Sequence, residues 1–300
     1  MTQTPSPVRD ELDAILTSVE AMDLTPYALD LEAKGYTVLP PSMGLSAAET
    51  ALLLEAVLDV AERRNGVRPD LATGATHSEM RSPFGEHMRL LLGEGEIFER
   101  LLLHPVASTF MRWLLGENCV LSSFSSMMKG PGRKALDLHT DSQFVPAPLP
   151  PYAQVANCTF ALTDYSRESG SLCFVPGSHR WGRHPEPYEA ALDESIMPID
   201  SIEAPAGSLV IWHGNTWHGA YPRATTGMRV NVVMLFSRLY MQTREDYRGQ
   251  LPPEVLARNP EEFSRLVGER NPLGWRSPDE YDALAPRFKA TMDVGRTALS

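Results

Sequence analysis

A chain of 300 residues, 43% of them hydrophobic and 22% charged, has ordinary globular composition and can bury one sizeable core with an appended helical layer. Its 27 basic and 38 acidic residues give a formal charge of −11 with no lysine- or arginine-rich run, which argues against non-specific binding to nucleic acid or an anionic membrane surface. Cys119, Cys158 and Cys173 do not pair evenly and share no C-x-x-C spacing, the pattern of inert buried thiols in a reducing compartment.

Met1 to Pro7 lacks a basic-then-apolar leader, and no apolar run approaches membrane-spanning length, so a cytoplasmic protein is expected. Monomer and homodimer both stay open. A short helix is predicted around Asp10 to Met22. Leu29 onward reads as a helix end, with Gly35 as the break before the β-prone Tyr36-Thr37-Val38-Leu39. Ser46-Ala-Ala-Glu49 has capping-box form and opens a helix with apolar Leu52, Leu53, Ala56, Val57 and Val60. Gly66 to Pro83 is loop-like. From about Ile97 to Leu115 a wide apolar face returns, and Pro105 should kink or split that helix.

From Cys119 the period changes. Short β-type runs fall at Val120–Met127, Leu136–Thr140, Gln154–Leu162, Ser171–Val175, Ser208–Trp212 and Val230–Ser237, separated by Gly, Pro and Asp/Ser clusters, which is how a sandwich or barrel reads. Phe144 to Tyr152 carries Pro146, Pro148, Pro150 and Pro151 and should be a stiff loop. Beyond Arg244 the chain is polar and helix-prone, cut into short pieces by prolines that include Pro278 and Pro286.

The chemistry concentrates in His139-Thr140-Asp141 and His218. Residues i and i+2 of an extended strand share a face, so His139 and Asp141 can grip one ion. A histidine from a neighbouring strand then completes two nitrogens and a carboxylate on one side of a metal, an arrangement suited to Fe(II) with open positions for O2 chemistry. Arg229, eleven residues past His218, begins the apolar run Val230 to Phe236. An inward guanidinium there calls for an anion, which a dianionic ligand would supply, whereas an arginine at a strand mouth could instead pair with a protein acid or snorkel to water. An isolated H-x-D tripeptide is common by chance and alone reads better as a surface loop. The ordered context carries the assignment.

That context is Gly170 to Val175, Pro176-Gly177-Ser178-His179, Gly207 to His213, Gly214 to His218, and then Arg229. Over roughly Val38 to Pro272 the series resembles the phytanoyl-CoA dioxygenase family of Fe(II)/2-oxoglutarate-dependent oxygenases. The resemblance implies a mainly β fold with a double-stranded β-helix (jelly-roll, cupin-like) core at 118–240. A mostly helical part at 1–117 would pack on one sheet, with a helical, proline-rich extension at 241–300. It implies Fe(II) held by His139, Asp141 and His218, with 2-oxoglutarate and O2 as cosubstrates. Arg229 would hold the distal carboxylate of 2-oxoglutarate, with further cosubstrate contacts at Asn157, Thr140 and Ala220.

The implied reaction is hydroxylation of an unactivated C–H bond in a small, partly hydrophobic metabolite, with release of succinate and CO2. Desaturation, cyclisation and epimerisation draw on the same oxidation, and a non-catalytic cupin-like binding protein is the reading from another class. His77 and Arg81, in the loop before the β region, and Phe144, close to Asp141, are the candidate substrate contacts. Leu239, Tyr240 and Met241 are candidates for a lid. His179 reads as a structural turn residue, and Trp217 should point away from His218's face.

Overall fold

The computed structural model describes residues 7–77 and 82–297. Chain order begins with helices α1 (Pro7–Ala21) and α2 (Thr25–Lys34), strand β1 (Tyr36–Leu39) and helix α3 (Ala47–Asn65). Strand β2 (Glu86–Met88) and helices α4 (Glu96–Leu102) and α5 (Pro105–Leu115) follow. Then come β3 (Val120–Lys129), β4 (Leu136–His139), β5 (Val155–Ala161), β6 (Leu172–Phe174) and β7 (Asp200–Ser201). Strands β8 (Leu209–His213), β9 (His218–Ala220) and β10 (Arg229–Ser237) precede α6 (Pro253–Arg258), α7 (Glu261–Leu266) and α8 (Pro278–Thr297).

Two antiparallel sheets form the jelly-roll core. The larger runs β1-β8-β5-β10-β3-β2 and the smaller β4-β9-β6-β7. Two strands of the larger sheet, β1 and β2, come from the N-terminal part, so the sheet reaches beyond the expected 118–240 boundaries. β1 follows the β-prone signal at Tyr36. β2 carries buried Glu86 beside half-buried His87 and offered no apolar alternation to read.

Local signals explain most of the remaining elements. Ser46 and Glu49 make the reciprocal capping box that starts α3, and the helix stops at left-handed Gly66. Pro105 divides the third helical stretch into α4 and α5, its missing N–H tolerated at the first helical position. Pro286, expected to cut the C-terminal part, instead lies inside α8. One lost backbone donor does not end a helix of this length. Among the described residues no helix is long and apolar enough to cross a membrane.

Alternation along the central strands sorts side chains between two environments. Ala156, Cys158 and Phe160 of β5 and Val230, Val232, Met234 and Phe236 of β10 join the apolar cluster that includes α3, α4 and α5 residues. Their alternating neighbours face the space between the sheets. The turn after α2 is equally constrained. Gly35 has φ +87°, and a Cβ there would stand 2.5 Å from His179 Nδ1 and from Thr216 Oγ1. Its carbonyl accepts from His213 N at 2.9 Å and from Thr216 Oγ1 at 2.7 Å. The helical layer is thereby locked to the loop that leads into His218.

Candidate metal centre

His139 ends β4 and His218 begins β9, and the two are direct partners in the antiparallel ladder. Their rings lie 4.3 Å apart between centroids. Asp141 opens the turn beyond β4, where its N–H donates to Gly214 O at 2.9 Å. One ligand atom from each of His139, Asp141 and His218 falls within 4.8 Å of the others. The i, i+2 spacing keeps His139 and Asp141 on one side, whereas Thr140 turns away and its hydroxyl meets His184 Nδ1 at 2.7 Å. Thr140 therefore does not reach the cavity as expected, for the same reason of alternation that unites its neighbours.

Both histidines are oriented through the ring nitrogen that faces away from the cluster. Nδ1 of His139 lies 2.8 Å from Asp137 O, and Nδ1 of His218 lies 2.9 Å from Thr216 O. A proton on each Nδ1 satisfies these carbonyls and leaves Nε2 as the free ligand atom. Asp141 is fixed as firmly. Asn157 Nδ2 donates to its Oδ2 at 2.5 Å, and Trp212 Nε1 donates to the same oxygen at 3.0 Å. Asn157 and Trp212 are register partners on β5 and β8, so the sheet itself aims both donors. Trp212 was not singled out from the sequence. Strand alternation with inward-facing Val210 was the signal that could have found it.

Charge coupling inside the cluster is strong. Burial opposes ionisation of Asp141, but His218, His139 and Arg244 outweigh it and hold the carboxyl well below the usual range. Burial likewise opposes the His218 cation, yet Asp141 raises that imidazole's pKa through charge and a hydrogen bond. His218 Nε2 and Asp141 Oδ2 stand 3.2 Å apart. Metal uptake must displace any proton held there.

A cavity of about 590 Å³ lies between the sheets with the three ligands in its wall. Ala220, Asn157 and Arg229 also line it. Arg229 is 2% exposed, and its Nε and Nη1 find no hydrogen-bond partner among the described residues. Its guanidinium carbon lies 5.5 Å from the centre of the Tyr165 ring. Opposite it in the ladder stands Lys129, also buried, whose Nζ donates to the Tyr221 carbonyl. Burial first, then the Arg229 charge, lowers the Lys129 pKa to about 7. Half-buried Arg223 is lowered by the same two causes. Three basic side chains thus converge, and among the described residues no carboxylate pairs with them. A bound dianion resolves that imbalance.

The remaining expectations fare differently. His77 Nε2 lies 3.3 Å from buried Glu86 Oε1 and is not part of the cavity wall. Glu86, the acid beside it, does line the wall. Phe144 is 80% exposed and outside the wall, because the chain turns outward after buried Ser142. Arg81 lies outside the described residues. Leu239, Tyr240 and Met241 surround a second cavity rather than the metal one. His179 sits in a tight 3₁₀ turn and Ser178 Oγ caps Trp217 N at 2.8 Å. Trp217 points away from the ligands, its indole donating to Arg183 O at 3.0 Å.

A jelly roll presenting two imidazoles and one carboxylate beside a buried arginine defines a non-haem metal oxygenase scaffold. The chain belongs to the phytanoyl-CoA dioxygenase (PhyH) family, which matches residues 31–231, and is thereby an Fe(II)/2-oxoglutarate-dependent dioxygenase by class. The dioxygenase af480 of Aspergillus fumigatus is 26% identical over 67% of this chain and 63% of its own length. The match therefore leaves more than a third of that relative uncovered. The ectoine dioxygenase of Stutzerimonas stutzeri is 24% identical over 86% of this chain and 92% of its own. Among solved structures, HygX from Streptomyces hygroscopicus with nickel and 2-oxoglutarate bound aligns with TM-score 0.58. It is 16% identical over 73% of this chain and 88% of that one. The carbocyclase SnoK of nogalamycin biosynthesis aligns with TM-score 0.56 and 19% identity, covering 71% and 84%. At these identities the structures establish the shared fold.

Proposed function

We propose that this protein hydroxylates an unactivated C–H bond of a small metabolite, with 2-oxoglutarate and O2 as cosubstrates. The observation that carries the reading is the buried, unpartnered guanidinium of Arg229 in the same cavity as the His139, Asp141 and His218 cluster. The donor set suits Fe(II), and the excess positive charge around Arg229 suits the far carboxylate of a keto-diacid.

In this reading His139 and His218 bind through Nε2 and Asp141 through a carboxylate oxygen. Asn157 and Trp212 keep Asp141 from rotating, and such supporting contacts change metal affinity or activity by about 10- to 100-fold. Arg229 holds the distal carboxylate, with Lys129 adding charge from behind it. Ala220, with no side chain beyond Cβ, leaves room beside the ligands. When bound, iron and 2-oxoglutarate supply an oxidation that uses one O2 per turnover, places one oxygen in succinate and the other in the hydroxylated product, and releases CO2. The protein's work is to place one C–H bond near that centre and to keep bulk water out.

Asp141 occupies the position that halogenating relatives leave vacant for halide, which favours hydroxylation over halogenation. Desaturation, ring closure and epimerisation remain chemically adjacent, since they differ in how the substrate is held after the first C–H bond breaks. A mass-spectrometric metabolite screen with coupled succinate measurement tests the reading. The expected result is a product heavier by one oxygen, formed with one succinate. A product lighter by two hydrogens assigns desaturation or cyclisation instead, and an isomer of unchanged mass assigns epimerisation. Substrate turnover without O2 uptake or succinate contradicts the oxygenase reading altogether.

A further inference from the structure

Arg229 occupies one end of the cavity, and a second cationic region occupies the other. Arg229 pairs with Lys129 in the ladder, whereas Leu235 pairs with Ser123 at the far end of β3. Those two points on β3 are separated by roughly 20 Å of extended backbone. Near Ser123 the wall contains Arg89 and Arg244. Arg244 N donates to Ser122 Oγ at 3.0 Å, which anchors its backbone there. Its guanidinium makes no hydrogen bond within the described residues, and its nearest acid is Asp141, with Nη2 3.8 Å from Oδ1. Arg89 is exposed and has no ion-pair partner among the described residues.

Both arginines are held in place by one buried carboxylate. Glu245, next to Arg244, accepts Leu90 N at 3.0 Å, Phe124 N at 2.7 Å and Tyr247 Oη at 2.6 Å. Leu90, next to Arg89, adopts φ +59°, a left-handed conformation that a leucine rarely takes. Arg64 secures the same segment by donating to Arg89 O at 2.6 Å and Leu90 O at 3.2 Å. Arg64 is itself neutralised by Glu94, and Glu86 is occupied by Thr76 at 2.9 Å and by Asn65. Glu86 and Glu245 thus spend their oxygens on neutral donors, and among the described residues neither makes an ion pair with Arg89 or Arg244. His87, between them in the wall, feels both Arg89 and Arg244 and cannot serve as their counterion. With a metal on Asp141 that carboxylate's charge would be shared, and Arg244 would have no other acid within ion-pair distance among the described residues.

We propose, resting on the oxygenase reading above, that Arg244 and Arg89 bind an oxyanion carried by the substrate, a carboxylate or phosphate on a molecule small enough for this cavity. The site stands at the opposite end from Arg229 and is therefore distinct from the distal-carboxylate site of 2-oxoglutarate. Because Arg244 reaches to within 3.8 Å of the ligand Asp141, the bond to be oxidised lies a few atoms from that oxyanion. The overall charge of −11 conceals this local preference, since the two cations are placed by Glu245 rather than by a basic run.

The test is calorimetry on protein loaded first with nickel(II) and then with 2-oxoglutarate, so that no turnover occurs. Benzoate, phenylacetate and octanoate are titrated beside benzamide, phenylacetamide and octanamide, with phenyl phosphate beside phenol as a separate arm. We expect at least one carboxylate, or the phosphate, to bind roughly tenfold or more tightly than its neutral counterpart. Arg244→Gln and Arg89→Gln should erase that preference, while Arg63→Gln, outside the wall and paired with Glu94, should keep it. Equal affinity within every pair in the wild-type protein, or a preference that survives both variants, overturns the proposal. So does a tenfold loss of 2-oxoglutarate affinity in Arg244→Gln with the preference intact, which assigns the arginine to the cosubstrate. Absence of a 2-oxoglutarate heat in the wild-type protein counts against the oxygenase reading instead, and is recorded in a separate step.

Discussion

The two faces of the β3, β5 and β10 strands do opposite work with adjacent residues. On the helix side, Phe160, Val232 and Met234 are fully buried in an apolar cluster. On the cavity side of the same strands, Ser123, Ser125, Asn157, Arg229 and Asn231 present polar groups to the space between the sheets. The buried face holds its position through packing and burial of apolar surface. The cavity face carries buried polar groups without a protein partner, among them Nε and Nη1 of Arg229. Stability and chemistry are therefore separable by substitution, one face at a time.

The largest separation is expected at Asp141. Asp141→Ala should reduce metal binding and turnover to background with little change in melting temperature, measured by metal titration and thermal unfolding. A variant that retains normal turnover removes Asp141 from the ligand set. Next, Arg229→Met should raise the apparent KM for 2-oxoglutarate by roughly 10- to 100-fold, the magnitude of a lost charge-assisted pair. Iron binding should remain, and an unchanged KM would place the distal carboxylate elsewhere. On the opposite face, Phe160→Ala should cost about 3–5 kcal/mol in unfolding free energy. The surviving folded fraction should keep its KM for 2-oxoglutarate, and a changed KM would mean the two faces are coupled through the sheet.

The smallest effect is a pH slope from Lys129. Its folded pKa of about 7 lies below the ordinary 10.5, so between those values the unfolded chain binds more protons. Its contribution to stability therefore rises with pH across that window, by at most about 1.4 kcal/mol per pH unit, and is lost as pH falls toward 7. The difference in unfolding free energy between wild type and Lys129→Met should show this slope. Saturating 2-oxoglutarate should flatten it by restoring the ammonium. A pH-independent difference would show that Lys129 is not held neutral.

Much of this arrangement was legible in the sequence because it is periodic or ordered. Alternation in Arg229 to Ser237, the Ser46 capping box and the Pro105 break each express a local rule, and His139, Asp141, His218 and Arg229 keep a recognisable order. The misses are non-local or over-local. Thr140 is a cosubstrate contact by family resemblance, but alternation sends its hydroxyl to His184. Phe144 was assigned by nearness to Asp141, although the chain turns outward between them. The Arg89 and Arg244 pair joins segments about 155 residues apart through Glu245, and no spacing along the chain announces such a contact. Glu86 escaped notice because a buried acid on a short edge strand breaks the apolar pattern by which strands are read.

One ferrous ion and one keto-diacid are expected to share the cavity between the sheets. Anaerobic addition of 2-oxoglutarate to the Fe(II)-loaded protein, followed by visible absorption, tests it most directly. A weak metal-to-ligand charge-transfer band should appear, saturating with one cosubstrate per chain and missing in Asp141→Ala. A featureless spectrum in the wild-type protein at saturating Fe(II) and 2-oxoglutarate would contradict the account.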